Sequence, residues 1–347
     1  MESFAWLRRM KWLAIAVIAS FAIAAVASAD TGPAHKVRQT RPIELGTSGG
    51  NINHFEKAFC YGGTLGSLVQ KSDSSRHILS NNHVLARTNK ASTGEDIVQP
   101  GLIDVSCQKI TADVVADLSA FVPIQFKKKG VTPNNTVDAA IAGVRLGAVR
   151  SDGSILDIGT LSNLTALDKV DCTVQKSGRT TGHTTGTISA VDVTVDINYG
   201  SGKVARFVDQ FLISDGDFSA GGDSGSLVVR DGGTSPRAVG LLFAGSSSYT
   251  IANPIAAVLN ALGVTMVGSG DGGDCPDSGV TTTAAAAKGR HQEALLQVPG
   301  VVGVGVGRGG QVEIYLANDN AQSRARIPSH VDGVPVRIVV TGEFHAR

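Results

Sequence analysis

"FSAGGDSGSLVV", residues 218–229, sets a serine between two glycines, directly after an aspartate and ahead of an apolar run. Alone, it reads two ways. Glycine and serine populate ordinary turns because they tolerate unusual backbone angles, so the stretch can be a turn feeding a strand. It can equally present Ser224 as a nucleophile at the tip of that turn. A serine hydroxyl is a weak nucleophile at neutral pH. It needs a histidine to take its proton and a carboxylate to hold that histidine in the right tautomer. The decision rests on partners elsewhere in the chain.

Of eight histidines, His83 stands in "HILSNNHVLA", at the end of an apolar strand where the chain turns. Asp138 stands in "NNTVDAAIAGV", immediately before a run of small apolar residues. A carboxylate against such a run is expected to be buried and therefore to need a partner, and an imidazole N–H is a good one. Each feature has a bland reading: a structural histidine, a turn aspartate. Taken together, in the order His83, Asp138, Ser224, they point to one constellation.

The surrounding chain is β-like. The 347 residues allow one large domain or two smaller ones, and at 42% hydrophobic they can build a full core. With 42 glycines, few aromatics and 18% charged residues, short Thr/Val/Ile/Ser runs alternate with Gly/Asn/Asp turns, the composition of an all-β protein. Residues 1–29 read as a signal peptide: Arg8, Arg9 and Lys11, an apolar run over 12–26, then Ala27-Ser28-Ala29. The alternative is an uncleaved N-terminal anchor. The mature protein is expected to be soluble, secreted or periplasmic, with no stable membrane association. At a formal net charge of +1 there is no electrostatic case for nucleic acid.

Export makes disulfides reasonable. Four cysteines allow three pairings, and Cys60–Cys107 with Cys172–Cys275 is the one expected; the alternative is four buried thiols. Their spacing is wrong for zinc, and the Gly/Asp-rich stretch at 268–279 lacks EF-hand spacing, so neither metal nor cofactor is expected. Residues 30–50 read as an extended arm, 51–267 as the main domain, 268–284 as a linker and 285–347 as a small α/β domain. "NPIAAVLNAL" has helical spacing, with Pro254 at its start and Gly263 at its end. In the last unit, a helix at "AKGRHQEALLQV" precedes strands "VVGVGVG", "VEIYLA" and "VRIVVTG". This unit lacks the metal-carrier CxxC and PDZ features, and a substrate-docking or assembly role, with its own docking partner, is the expectation.

Over residues 60–262 the sequence resembles the chymotrypsin/trypsin-like serine proteases. "GGDSGSLV" is similar to their nucleophile motif, "LSNNHVLA" to their histidine motif and "DAAIA" to their aspartate motif. "KSGRTTGHTTGTI", residues 176–188, resembles the bacterial secreted branch that includes α-lytic protease and the streptogrisins. The resemblance implies a double six-stranded β-barrel and a serine endopeptidase acting on polypeptides. It implies His83 as general base and acid, Asp138 as its orienting carboxylate, Ser224 as nucleophile, and the N–H groups of Gly222 and Ser224 as the oxyanion hole. Substrate would add as a strand along "LLFAGS", 241–246, pairing with Phe243 and Gly245. Phe218 stands at the base position of the S1 pocket, with Ser219, Ala244 and Gly245 as a neutral wall. That implies no strong Arg/Lys preference and a small or medium apolar P1 residue; alternatively Phe218 points into the core. If His83 is the base, kcat/KM should rise with pH through a pKa near 7.

Several positions depart from the family pattern. Asn81 and Asn82 replace the two alanines before the histidine, and a cysteine pair of the bacterial relatives is missing. No activation sequence stands near Gly49-Gly50, so Asp223 needs a cation from elsewhere, and a buried Lys176–Asp223 pair is the expectation. His183 reads as a loop histidine, and His330 and His345 as surface residues. An α/β-hydrolase esterase is disfavoured, because Ser226 breaks G-x-S-x-G and the strand–helix alternation is missing. A secreted binding protein that keeps the fold but is catalytically silent is the other alternative.

Overall fold

The computed structural model describes residues 34–56, 58–214, 216–276 and 282–347. The expected signal peptide and the first residues of the arm lie outside the described residues. From Ile43 the arm packs against the body, with Ile43 and Leu45 fully buried, and leads into the first strand.

The first barrel is built from β1 (Thr47–Asn51), β2 (Gly63–Leu65), β3 (Ser67–Gln70), β4 (Arg76–Ser80), β5 (Asp96–Val98), β6 (Val114–Phe121) and β7 (Ala140–Val144). The hydrogen-bonded order is β3-β4-β7-β6-β5-β1-β2. β2 and β3 are one strand bent at Gly66, so β2 closes on β1 while β3 pairs with β4. Counting the bent strand once, the ring has six members. Only glycine fits the bend, because a Cβ there would lie 3.0 Å from Leu79 O and run into Gly225 O. Leu68, Ile78, Leu79, Ile141 and Leu118 are essentially unexposed. Each such side chain contributes about 1.5–3 kcal/mol relative to exposure.

The second barrel contains β8 (Thr173–Gly178), β9 (Gly182–Asn198), β10 (Val204–Ser214), β11 (Leu227–Arg230), β12 (Ala238–Gly245) and β13 (Tyr249–Pro254). Their order is β9-β8-β11-β12-β13-β10, and β9–β10 pairing closes the ring. The fold is thus all-β, a double six-stranded barrel of the trypsin-like kind. The helix expected after Pro254 spans Ile255–Leu262 and ends at Gly263 with φ +64°.

β9 is 17 residues long and outgrows its barrel. On it the small α/β unit is assembled. A helix at Thr282–Leu296 is followed by β14 (Val301–Gly307), β15 (Val312–Leu316), β16 (Val334–Val340) and β17 (Phe344–Ala346). β14 extends the second sheet by pairing antiparallel with β9. The helix docks through Lys288 Nζ on Asp192 Oδ1 (2.7 Å) and Gln292 Oε1 on Thr194 Oγ1 (2.9 Å). The unit has its own apolar cluster around Val304, Val306, Ile314 and Leu316. The disulfides are Cys60–Cys107 and Cys172–Cys275, the expected pairing, with Cα separations of 5.6 and 5.4 Å. The second ties the Gly/Asp-rich segment to the start of β8.

Candidate active site

His83 sits on a single helical turn, Asn82–Leu85, directly after β4. Asp138 leads into β7, the strand paired with β4, so sheet register brings the two together. His83 Nδ1 lies 2.6 Å from Asp138 Oδ2, and the His83 N–H reaches Asp138 Oδ1 at 3.2 Å. The carboxylate is fully buried and also accepts from Tyr199 Oη (2.7 Å), while its backbone N–H donates to Asn253 Oδ1 (3.1 Å). Burial pushes the imidazole pKa down. The Asp138 carboxylate, with a contribution from the backbone oxygen of Arg347, outweighs it, so His83 titrates above its ordinary value.

Asn81 and Asn82, just ahead of His83, tie neighbouring loops together. Asn81 Nδ2 donates to Asp138 O (2.7 Å), tying the two loops, and Asn82 Nδ2 donates to Val122 O (2.7 Å). Asn81 Oδ1 is buried without a partner among the described residues.

Ser224 comes from the second barrel, in a turn shaped by Gly222 (φ +102°) and Gly225 (φ +93°). A Cβ on Gly222 would crowd Thr180 Oγ1 and the Arg179 guanidinium (2.7 Å to a terminal nitrogen). Thr64 of β2 clamps the turn: its N–H donates to Ser224 O (2.8 Å), and its hydroxyl donates to Gly222 O (3.1 Å) and accepts from Arg179 N (3.0 Å). Arg179 forks onto Asp104 of the first barrel (2.7 and 2.6 Å). Sequence reasoning missed this inter-barrel pair, for which "GRTTG" was the only signal.

Ser224 is unexposed, and its Oγ donates to Phe243 O at 3.2 Å. Among the described residues it has no hydrogen bond to the imidazole. His83 Nε2 instead stands 3.1 Å from the backbone oxygen of Arg347. The neighbouring cavity, about 340 Å³, is lined by His54, Tyr61, His83, Tyr199, Gly222 and Arg347 among others. Burial lowers the His54 pKa to about 4, so it is neutral there.

Two expectations are corrected. Lys176 is fully buried, but it does not touch Asp223. Its ammonium reaches Thr181 Oγ1 (2.5 Å) and Gly182 O (2.7 Å), and the Thr181 hydroxyl passes a hydrogen bond to Asp223 Oδ2 (2.8 Å). Asp223 is further held by the N–H groups of Thr180 (2.7 Å) and Ala220 (2.9 Å), so backbone donors take the place of a direct cation. Burial lowers the Lys176 pKa to about 8, with Asp223 acting to raise it. Phe218 is not the floor of a pocket. Its ring lies in the second-barrel core with Ile213, Val228 and Leu242, since a phenyl ring gains more there than in a wet cleft. Its carbonyl accepts from Thr184 Oγ1 (2.8 Å).

Ser219 bonds Thr250 through its hydroxyl (2.6 Å). Phe243 buries its ring in the core, while Ala244 and Gly245 pair with β17. His183 lies in β9 and bonds Gln175 (2.7 Å), away from the site. Among the described residues no group of three or more His, Cys, Asp or Glu could hold a metal ion.

A family model, the Nal1 C-terminal domain, matches residues 114–252, from β6 to β13. No curated protein matches the chain. Among solved structures it is similar to a glutamic acid specific serine protease that uses a histidine triad in substrate binding. That match has 22% identity over 65% of this chain and 100% of that one, with a TM-score of 0.43. It is similar to Thermobifida fusca protease A at 17% identity over 65% and 99%, TM-score 0.42. It is also similar to a Nocardiopsis protease at 20% identity over 59% and 92%, TM-score 0.40. The closure of two six-stranded rings establishes the fold independently of these likenesses.

Proposed function

We propose that this protein is a serine endopeptidase acting through His83, Asp138 and Ser224. The observation that carries the reading is the His83–Asp138 contact at 2.6 Å on a buried carboxylate, beside the glycine-shaped turn that holds Ser224. Ser224 Oγ attacks the peptide carbonyl carbon as His83 Nε2 takes its proton. The tetrahedral oxyanion is met by the N–H groups of Gly222 and Ser224, each worth about 2–4 kcal/mol in the transition state. His83 then protonates the leaving amine, and water hydrolyses the acyl-enzyme by the same route. Asp138 fixes the Nδ1–H tautomer and stabilises the imidazolium, and Tyr199 positions Asp138. Two disulfides support an oxidising compartment.

A catalytically silent peptide-binding protein is the second reading. It is favoured by one observation, the Ser224 hydroxyl bonded to Phe243 O rather than to the imidazole. A fluorophosphonate probe, which reacts only with an activated serine, separates the two. The parent should label and hydrolyse casein, and Ser224→Ala should do neither, with kcat lower by on the order of 10⁶-fold. If neither the folded parent nor any Arg347 variant described below labels, the endopeptidase reading fails in favour of the silent one.

A further inference from the structure

The endopeptidase reading makes no use of β17, yet β17 fills the groove which that reading requires. It lies antiparallel on β12 with Ala346 opposite Ala244 and His345 opposite Gly245. The Arg347 N–H continues the ladder onto Phe243 O (3.1 Å). These are the backbone groups expected to receive a substrate strand. Beyond the ladder, the backbone oxygen of Arg347 reaches His83 Nε2. Residue 347 thus places its backbone oxygen at the imidazole nitrogen that the proposed reaction uses.

The Arg347 side chain turns into the space beside Gly245. Its guanidinium donates to Ser219 O and Ser246 O. Gly245 makes room for it: a Cβ there would stand 2.9 Å from Arg347 Cζ and 2.7 Å from Tyr249 O. The pocket offers carbonyl oxygens rather than a carboxylate. A planar guanidinium with a fixed fork of donors can bridge two separated carbonyls, whereas the point charge of a lysine matches them less well. The side chain is nevertheless incompletely satisfied, since Arg347 Nε is buried without a partner among the described residues. The strand is anchored further back by Phe344, which is buried against Tyr315.

We propose that residues 344–347 occupy the unprimed side of the groove as a built-in peptide with Arg347 in the P1 place, so that the site takes arginine there and the strand excludes other peptides until displaced. The subsite names rest on the endopeptidase reading; the occupancy does not. The neutral wall of Ser219, Ala244 and Gly245 is compatible with this, because main-chain oxygens supply the polarity that its side chains lack. The apolar P1 residue expected from the sequence gives way to arginine.

The test uses the full chain with Arg347→Glu, which sets a carboxylate against the two carbonyls and expels the side chain, and Arg347→Lys, which keeps a cation. Arg347→Ala provides the same readout should the glutamate variant not fold. Fluorophosphonate should label R347E about tenfold or more faster than the parent, the loss expected for charge-assisted hydrogen bonds, with R347K between them. A free amidated peptide with the sequence of residues 342–347, GEFHAR, should slow labelling of R347E, and GEFHAA should not. Labelling of R347E at the parental rate, or equal protection by both peptides, would overturn the proposal while leaving Ser224 a working nucleophile. If no chain labels, the endopeptidase reading fails and fluorescence anisotropy decides the proposal. Fluorescein-GEFHAR binding R347E at least about tenfold more tightly than it binds the parent supports the strand as occupant. Equal binding overturns it.

Discussion

The two barrels have the same strand count and do different work. The first supplies side chains. Register between β4 and β7 brings His83 to Asp138, and the pair is fixed by buried hydrogen bonds. The second supplies the Ser224 hydroxyl on its glycine turn and, along the edge of β12, backbone. The first barrel closes economically, by a bend at Gly66. The second closes through a long β9–β10 hairpin that projects past the ring and delivers Tyr199 to Asp138. The small α/β unit then builds on the same projection and sends β17 into the groove. A side-chain pair is held by particular buried partners from both barrels, whereas a backbone edge can be occupied by any strand, including one of the protein's own.

The largest test of this division is Asp138→Asn. An asparagine can donate to Nδ1 and fix the wrong imidazole tautomer, so kcat should fall by on the order of 10⁴ with the fold unchanged. Steady-state kinetics on a casein-derived peptide would measure it, and a loss below tenfold would mean that the first barrel does not supply the base.

Lys176→Met probes the second barrel's buried cation. The parent lysine titrates at about 8 when folded, against an ordinary value of 10.5. Between those values the unfolded chain binds more protons than the folded one, so this group makes stability rise with pH. The charge-burial cost is fully present below pH 8 and is relieved by pH 10.5, an effect of roughly 3 kcal/mol. Urea unfolding at pH 7, 8, 9 and 10 should show this rise in the parent and lose it in the variant. Parallel curves would contradict the assignment.

Tyr199→Phe removes the one side-chain hydrogen bond that the projecting hairpin gives the His83–Asp138 pair. With one donor fewer, the carboxylate attracts the imidazolium more strongly. The midpoint of the kcat/KM–pH profile should therefore move further above the ordinary histidine value, and kcat/KM at pH 7 should fall about tenfold. An unchanged midpoint would show that the second barrel leaves the pair alone.

Much of this was legible in the sequence because it depends on local chemistry. "GGDSGSLV" needs glycines where φ is positive, and Gly222 and Gly225 are there. Pro254 and Gly263 bracket a helix for reasons internal to that stretch. "VVGVGVG" is the strand at 301–307, and the strand at 334–340 contains the first five residues of "VRIVVTG". Long-range pairing was not legible. Tyr199 and Arg347 have unremarkable neighbours in sequence, and Arg179 stands in a motif that names no partner; their roles arise only when chain segments far apart meet. Lys176 and Phe218 were assigned by position along a motif, but their side chains follow the solvation of the folded interior. The lysine took neutral oxygens within reach of its ammonium, and the phenyl ring took the core.

The two-barrel architecture was implied by the family resemblance, and the disulfide pairing was one of three the sequence allowed. The sequence by itself determined the all-β class and the short list from which a nucleophile, a base and an acid could be drawn. These are set by residue type, order and turn chemistry. Only the tertiary structure decided what faces His83 Nε2, what fills the groove along β12 and how Asp223 is satisfied. Backbone carbonyls and N–H groups are the same at every position. Which of them meet is fixed by strand register and barrel closure, not by the identity of any side chain.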